Sequence, residues 1–384
     1  MTDDIKHGIT ITEAAEGALP IATASSAVIG LVAVSTDADA DAFPLDTAVL
    51  VANLKAAIGK AGVNGTLALA LKAIADICSP TIIVVRVAPG MNEAATSTAI
   101  IGTVNGTGKL TGMQALLTAE SKFGIKPTIL GVPGHDSETV TTALAVVSHQ
   151  LRGFVYAAGI GAVVADVLTY AEGFSDRDLM LIWPDFTDWA GSAVARAMGL
   201  RAFLDQTRGF NFSLSNNVVP GVTGITKDVD FDILDSTCTA GTLNAGNVTT
   251  IVRYGGGYRF WGNRTCSTDP DYVFEVATRS ANVVRDTIAY GIASYIDLPI
   301  TVQWVQDVLG TINAKLRSFV SRQQLIGANC WFDSDLNSAE DLAGGNPNFD
   351  FDFTITAPAE NIGLTIHITD KYYDNFAAQL TGAG

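Results

Sequence analysis

Cysteine is scarce in this 384-residue chain. Cys78, Cys238, Cys266 and Cys330 lie far apart and form no Cys-x-x-Cys pair, which excludes a disulfide scaffold and a zinc ribbon. Reduced thiols in an intracellular protein are the simplest account of them. Charge is scarce too: 16% of residues are Asp, Glu, Lys or Arg, against roughly 25% in an average soluble chain. Together with 48% hydrophobic residues, this excludes intrinsic disorder, which needs low hydrophobicity and high charge. Lys plus Arg number 23 against 39 Asp plus Glu, a formal net charge of -16. Phosphate binding needs a basic surface, so the balance argues against a nucleic-acid binder. No apolar run approaches the ~18 residues of a membrane span. Met1–His7 is acidic and polar, unlike a signal peptide, so the chain is expected to stay in the cytoplasm of the cell that makes it. A weakly charged surface on a chain of this length points to burial against partners.

Histidine is limited to His7, His135, His149 and His367. His135 lies beside Asp136 and Ser137 in a loop after a predicted strand, but local neighbours do not make a catalytic triad, and no Gly-x-Ser-x-Gly elbow occurs. A loop histidine before a helix capped by Asp136 or Ser137 is the plainer expectation. Gly102–Leu110 fails as a phosphate loop: Thr103 stands where the first glycine is needed, and Leu110 replaces the Ser/Thr that would hold magnesium. Gly159-Ile160-Gly161 is followed by Val164 where a dinucleotide loop needs its third glycine. Asp176, Asp178 and Asp185 flank a predicted strand, and are expected to be solvated loop carboxylates. No catalytic residue, metal site or cofactor is therefore assigned.

What is present is a strand–helix alternation. Ala27–Val34 and Thr81–Val87 read as buried strands, the latter β-branched almost throughout. Ala48–Gly59 and Thr66–Ile77 are predicted helices, and 90–111 a loop or small hairpin. Strands follow at Thr128–Val132, Gly153–Ala157 and Asp178–Trp183, with helices at Ser137–Leu151, Ala162–Gly173 and Asp188–Asp205. This order argues for βαβ units and a parallel sheet covered on both faces. Asn211–Asn247 reads as loop with scattered short strands, and Ile251–Trp261 as two strands about a glycine turn. Two long helices come next. One carries the stripe Phe274, Ala277, Ala281, Val284, Ile288, Ile292 and Tyr295. The other carries Trp304, Leu309, Ile312, Leu316 and Phe319, with Pro299 in its first turn and Lys315, Arg317 and Arg322 at its C-terminal end. Phe349, Phe351, Phe353 and Ile355, then Ile362, Leu364, Ile366 and Ile368, alternate with polar residues as half-buried strands do. Gly8–Glu13, with Ile9 and Ile11, has the same alternation. Strands at both chain ends without sequence neighbours suggest exchange between subunits. Pairing of the two ends inside one subunit fits the pattern equally.

Two blocks carry a resemblance. The first is GLRAFLDQTRGFNFSLSNNVVPGVTGI, with Asp205, Gly209, Ser215 to Asn217 and Pro220-Gly221-Val222. The second is LNAGNVTTIVRYGGGYRFWGNRTCS, in which Trp261, Gly262, Asn263, Arg264 and Thr265 are the most specific signature. His7-Gly8-Ile9, Val28–Leu31, Phe274–Arg285 and Ala359–Thr369 also fit. The chain resembles, over its whole length, the tail sheath proteins of contractile phage tails, in the short form shared with P2-like phages and R-type pyocins.

The resemblance implies an outer doubly wound α/β domain, subtilisin-like and non-catalytic, and an inner C-terminal α+β domain facing a central tube. The expected divisions are 1–20 as an N-terminal arm, 21–245 as the outer domain, 246–370 as the inner domain and 371–384 as a C-terminal arm. Strand exchange would run through Ile9, Ile11, Ile362, Leu364, Ile366, Ile368, Tyr372, Tyr373 and Phe376, and Lys315, Arg317 and Arg322 would face the tube. Implied partners are further copies in stacked hexameric rings, the tail tube protein, and baseplate and tail terminator proteins, with no nucleic acid, membrane insertion or cofactor. The location would be a virion or pyocin-like particle assembled in bacterial cytoplasm, and the action contraction that drives the tube through a cell envelope. A sheath of another contractile injection system is the first alternative, and a hydrolase-like or ligand-binding α/β protein the second.

Overall fold

Alternating side chains on short β-branched strands set the central layer. The computed structural model describes residues 21–376 and residue 379. Strands β1 (Ile29–Val34), β2 (Ala48–Val51), β3 (Ile82–Val87), β4 (Ile129–Gly131), β5 (Phe154–Ala158), β6 (Leu179–Ile182), β7 (Val248–Tyr254) and β8 (Gly257–Trp261) form one sheet. Its order is β2-β3-β1-β4-β5-β6-β7-β8. The six strands from β3 to β7 run parallel, with β2 and β8 antiparallel at the edges. Ile29, Leu31 and Ala33 of β1 and Ile82 and Val84 of β3 face a cluster built with helices α1 (Leu54–Lys60), α2 (Leu67–Ala75) and α7 (Ser192–Thr207). Val32 and Val34 of β1 and Ile83, Val85 and Val87 of β3 face the other way, onto α3 (Glu93–Ile101), α4 (Ala119–Phe123) and α5 (Glu138–Leu151). The period of two thus divides the core into two faces, as a doubly covered parallel sheet requires. Helices α6 (Val164–Ala171) and α8 (Thr239–Ala245) close the β6–β7 end through Val167, Leu243, Trp183 and Val248.

A second, smaller core joins α9 (Glu275–Gly291) and α10 (Val302–Ser321) to a two-stranded antiparallel sheet, β9 (Leu325–Trp331) with β10 (Asp350–Ile355). Val284, Ile288, Ile312, Leu316 and Phe319 are its centre. The short helix α11 (Ala339–Ala343) lies between β9 and β10.

Helix α9 binds the two cores together. Its apolar side meets α10, while a polar stripe, Glu275, Arg279, Asn282 and Asp286, crosses the amino ends of the parallel strands. The spacing of four, three and four keeps these residues on one face. Arg279 donates to the Ser26 carbonyl just before β1 at 3.1 Å. Asn282 donates to Asp178 just before β6 at 3.2 Å. Asp286 pairs with Lys126, before β4, and with Arg152, before β5. Deeper in, Arg201 and Asp205 of α7 meet at 2.7 Å with both side chains fully buried. Arg201 also reaches Glu275 at 3.4 Å and the Phe212 carbonyl at 2.5 Å. Arg279 pairs with Asp205, and the Tyr156 hydroxyl of β5 donates to Glu275.

Several expectations are corrected. Ala48–Val51 is edge strand β2, because its β-branched side chains pair with β3; the helix starts only after Asn53, whose side chain accepts from Ala56 N at 3.1 Å. The 90–111 segment contains α3, capped by Asn92 accepting from Ala95 N at 2.8 Å. Only Thr96 and Ile100 of α3 are buried, so its apolar period is too sparse to read. Helix α8 lies inside the stretch read as loop. Strands β7 and β8 complete the large sheet, so a division at 245/246 would cut that sheet; the layer continues to Trp261. Pro299 precedes the Thr301 cap of α10 instead of sitting in its first turn.

Removing one member of the buried ion cluster should strand a charge. Arg201→Met leaves Asp205 and Glu275 short of a counter-ion, and should cost about 3–5 kcal/mol in denaturant unfolding. A loss below about 1 kcal/mol would show that the cluster does not bind α7 to α9.

Candidate assembly surface

Residues 361–369 belong to no helix or strand, Asp370 is a bend, and all ten are exposed. Ile362, Leu364, Ile366 and Ile368 are 75%, 86%, 86% and 99% exposed. The half-buried strand expected here is therefore not buried against its own chain, and among the described residues no hydrogen bond involves 361–368. Beyond it, Tyr372 and Tyr373 lie exposed on the single turn Lys371–Asn375, with Phe376 exposed next to it. Ile9 and Ile11 fall outside the described residues. A contiguous apolar row this exposed marks an interaction surface.

The row leaves the body at a defined root. Arg264 grips Glu360 with two parallel bonds, Nε–Oε1 at 2.7 Å and Nη2–Oε2 at 2.8 Å, the planar fork that suits a carboxylate. These bonds hold the Glu360 carboxyl below the usual range and raise the guanidinium. The other signature residues place Arg264. Trp261 packs edge-on against Phe231 with ring centroids 4.8 Å apart. Gly262 has φ +139°, and a Cβ there would meet Asn244 and the Thr249 backbone within 2.8 Å; only glycine fits. The Asn263 carbonyl accepts from Glu275 N at 2.9 Å, which starts α9. Thr265 donates from its hydroxyl to Tyr272 O at 2.7 Å. The block is thus the fixed corner from sheet to α9, and it carries the grip on the outgoing segment. Arg264 is legible as part of the signature; Glu360 carries no sequence signal, since one acid on a polar stretch looks like any other.

The small sheet meets α10 along β9. Asn313 of α10 accepts from Cys330 N at 2.9 Å and donates to Cys330 O at 2.8 Å, so it engages the outer side of β9 at that residue as a strand partner would. The outer side of β10 has no such partner among the described residues. Phe351 and Phe353 stack on one face of β10 at 6.3 Å.

The three predicted tube-facing cations do not form one group. Arg317 and Arg322 are exposed. Lys315 is buried, and its ammonium donates to Ile21 O at 2.9 Å and Thr23 Oγ1 at 2.8 Å. Burial pushes its pKa down, with Arg322 adding to the effect. Lys315 is therefore corrected to an anchor for the incoming N-terminal segment, which also bonds through Ala24 N to Thr287 Oγ1 at 3.0 Å.

The polar residues searched for chemistry are engaged locally. Asp136 does not cap a helix: it is buried and accepts from Ala158 N of β5 at 2.5 Å, tying the β4–α5 loop to β5. Asp185 accepts from Phe186, Gly191 and Ala193 N–H groups and so holds the start of α7. Asp176 and Asp178 each lie 3.4 Å from His149 Nε2; Asp178 is buried, and is corrected from a solvated acid to a partner of α9. Among the described residues no three His, Cys, Asp or Glu side chains are grouped to hold a metal ion, and no helix is long and apolar enough to cross a membrane.

Comparison with known proteins gives a consistent result. Family models match in three parts: "Tail sheath protein Gp18 domain III N-terminal region" over 26–87, "Phage tail sheath protein central domain" over 108–266 and "Phage tail sheath C-terminal domain" over 267–369. The tail sheath protein of Escherichia phage P2 is 44% identical, over 98% of this chain and 99% of its own. The major tail sheath protein of Serratia phage KSP20 is 43% identical over the full length of both. Among solved structures, the contracted sheath of an extracellular contractile injection system, PVC, has TM-score 0.73 at 17% identity, covering 97% of this chain and 100% of that one. The contracted helical sheath of the anti-feeding prophage has TM-score 0.71 at 18% identity, covering 96% and 99%. These two share the fold.

Asp136 sets a pH dependence of the fold itself. Burial pushes its carboxyl up from 3.8 to about 6, partly offset by the Ala158 N–H bond. A raised carboxyl favours the protonated folded state, so its penalty is absent below about pH 3.8, grows through the interval and is complete above about 6. Asp136→Asn keeps an acceptor for Ala158 N–H without the charge. It should raise unfolding stability by about 2–3 kcal/mol at pH 8 and by less than about 1 kcal/mol at pH 4; an equal gain at both would refute this account.

Proposed function

Since the chain belongs to the phage tail sheath family, we propose that it polymerises as stacked six-fold rings around a tail tube and shortens to drive that tube through a cell envelope. The observation that carries the proposal is the exposed, alternating row Ile362–Ile368 beside a small sheet with an open β10 edge. An extended segment with apolar side chains on alternate positions adds to a sheet edge by backbone hydrogen bonds, and pockets for its side chains supply specificity. In this reading Ile362, Leu364, Ile366 and Ile368 of one copy, with Tyr372, Tyr373 and Phe376 beyond them, extend the β9–β10 sheet of another. Ile9 and Ile11 do the same from the other chain end. The arms then tether rings through the change in length.

The role is structural and non-enzymatic. Asp136 and Asp185, the carboxylates at the carboxyl ends of the parallel strands, are taken up by backbone N–H groups, which disfavours the hydrolase-like alternative. The large sheet with α1–α8 would be the outer, subtilisin-like layer, and α9, α10, β9 and β10 the inner one, divided after the signature corner. Contraction energy would come from fresh surface buried between subunits whose packing has two arrangements. The inner layer would meet the tube protein through Arg317 and Arg322, with baseplate and terminator proteins at the ends of a virion or pyocin-like particle. A non-phage injection system is favoured by the PVC and anti-feeding prophage fold matches, a phage or pyocin by the identity to the P2 and KSP20 proteins. The latter is the more specific support.

Two outcomes are expected. In electron micrographs the full chain should form ringed hollow tubes, and chains ending at Glu360 or starting at Ile21 should remain dispersed; tubes from the chain ending at Glu360 would remove the arm from assembly. Arg317→Glu with Arg322→Glu should leave the folded subunit unchanged and abolish co-sedimentation with tail tubes at low salt, since exposed charge contacts are screened by ions. Undiminished co-sedimentation would place the tube contact elsewhere.

A further inference from the structure

An apolar groove of about 540 Å³ lies where the C-terminal end of α9 meets the N-terminal end of α10. Tyr295, Trp304, Val308 and Phe349 line it, and Ile296 and Leu298 stand 68% and 50% exposed at its rim. The polar atoms of its aromatic walls are engaged with their own chain. Trp304 Nε1 donates to Tyr295 O at 3.2 Å, and the Tyr295 hydroxyl lies 2.8 Å from Thr311 Oγ1. What remains to an occupant is ring faces and aliphatic surface, which suits an aromatic group. The described ends of the same chain do not supply one: Ile21 packs on Gly291 beside the groove, and Tyr372, Tyr373 and Phe376 stand exposed.

The groove is continuous with the outer side of β10. Gly345, Pro347 and Phe349 form part of its wall, and Asp350 opens the strand. Phe349, Phe351, Phe353 and Ile355 alternate with polar residues along this run, as Ile362, Leu364, Ile366 and Ile368 do along the exposed row, so two rows of four share a period of two. Laid antiparallel, Ile362 of one copy falls beside Ile355 of another and Ile368 beside Phe349, while His367 falls beside Asp350 on the opposite face. Such apolar and charge-matched cross-strand pairs stabilise a sheet. The chain beyond Ile368 then follows the groove wall, with Asp370 opposite Pro347 and Tyr372 opposite Gly345. Tyr373 and Phe376 close the turn with ring centroids 6.2 Å apart, a compact aromatic knob delivered to an aromatic groove. Parallel pairing matches the two rows equally well, but it carries the turn past Thr356 towards Pro358–Asn361. The second copy's own row leaves there, and Asp232 and Asp235 on that surface would meet Asp370 with like charge.

We propose that the turn bearing Tyr372, Tyr373 and Phe376 of one copy seats in the α9–α10 groove of another and fixes the direction and register of the added row. A period of two tolerates a slip of two residues without turning any side chain to the wrong face; a knob in a groove does not. The inference rests on the proposed strand addition and names what the groove receives.

The test mixes equal amounts of full-length Tyr373→Cys chain and full-length Leu298→Cys chain and treats the mixture with a short thiol-to-thiol crosslinker. Peptide mass spectrometry locates the joints, and electron micrographs report the tubes. Tubes with Tyr373→Cys joined to Leu298→Cys are expected. Tubes without that joint overturn the seating and leave the sheath reading standing. A wild-type chain that stays dispersed under the same conditions removes the sheath reading and this inference with it. Tyr373→Cys mixed with Leu234→Cys, Leu234 being 93% exposed beside Asp235, should give no joint; a joint there and none at Leu298→Cys would assign parallel pairing and overturn the proposal. Should the cysteine chains fail to assemble, Tyr373→Ala/Phe376→Ala answers the same question with Ile362–Ile368 intact. The concentration needed for half-maximal tube formation should rise about tenfold, and an unchanged concentration refutes the seating.

Discussion

Four buried ions and a phenol hold the two cores of this protein in one arrangement. Arg201, Asp205, Glu275 and Arg279 cancel in charge, and the Tyr156 hydroxyl takes up part of the Glu275 carboxylate. Removing such groups from water is costly, and their mutual attraction compensates only when every partner is present and aligned. An apolar contact between α7 and α9 would tolerate sliding and rotation. A closed set of directional ion pairs does not, because each displacement unpairs a charge in a medium that screens it poorly. The orientation of α9 is set there, and the position of α10, the small sheet and the roots of both terminal segments follow from it.

Helix α9 satisfies two environments with one sequence. Its polar stripe caps the amino ends of the parallel strands, taking up a carbonyl before β1, an acid before β6 and cations before β4 and β5. Its apolar side supplies Val284 and Ile288 to the second core. The signature corner starts this helix and grips Glu360, while Thr287 and Gly291 near its end receive residues 21–24. Both terminal segments therefore leave the same rigid element, and a displacement of one root is felt at the other through covalent helix rather than through a soft interface.

The large sheet is legible in the sequence because a buried parallel strand needs β-branched residues on both faces, and Thr81–Val87 has little else. The helix stripes of α9 and α10 are legible for the same kind of reason. Ala48–Val51 misleads because four apolar residues fit either period, and pairing with β3 decides between them. Helix α3 escapes because Ala and Thr give a helix without an apolar face. The alternation at Ile362–Ile368 is plain, but alternation reports which side chains want cover and says nothing about who provides it. Lys315 looks like a surface cation at a helix end; its burial depends on residues nearly three hundred positions away. The ion cluster is invisible as a cluster, since Tyr156, Arg201 and Glu275 are brought together only by the fold. The signature block, by contrast, is recognisable as a string of letters, and only the fold reveals its mechanical role at the corner.

The exposed row past Glu360 has a thermodynamic consequence. Its amides and carbonyls have no partner among the described residues, so exchanging water for a neighbouring strand returns only about 0.5–1.5 kcal/mol per bond. Ordering each residue costs a comparable amount. A single exchange of this segment, in the proposed assembly, would accordingly be a weak, reversible association. In a closed lattice the second and later contacts become intramolecular, and their effective concentration rises far above that of free subunits. Strength would then belong to the number of linked copies and to no individual joint, and the free subunit and the polymer can both be stable under the same solution conditions.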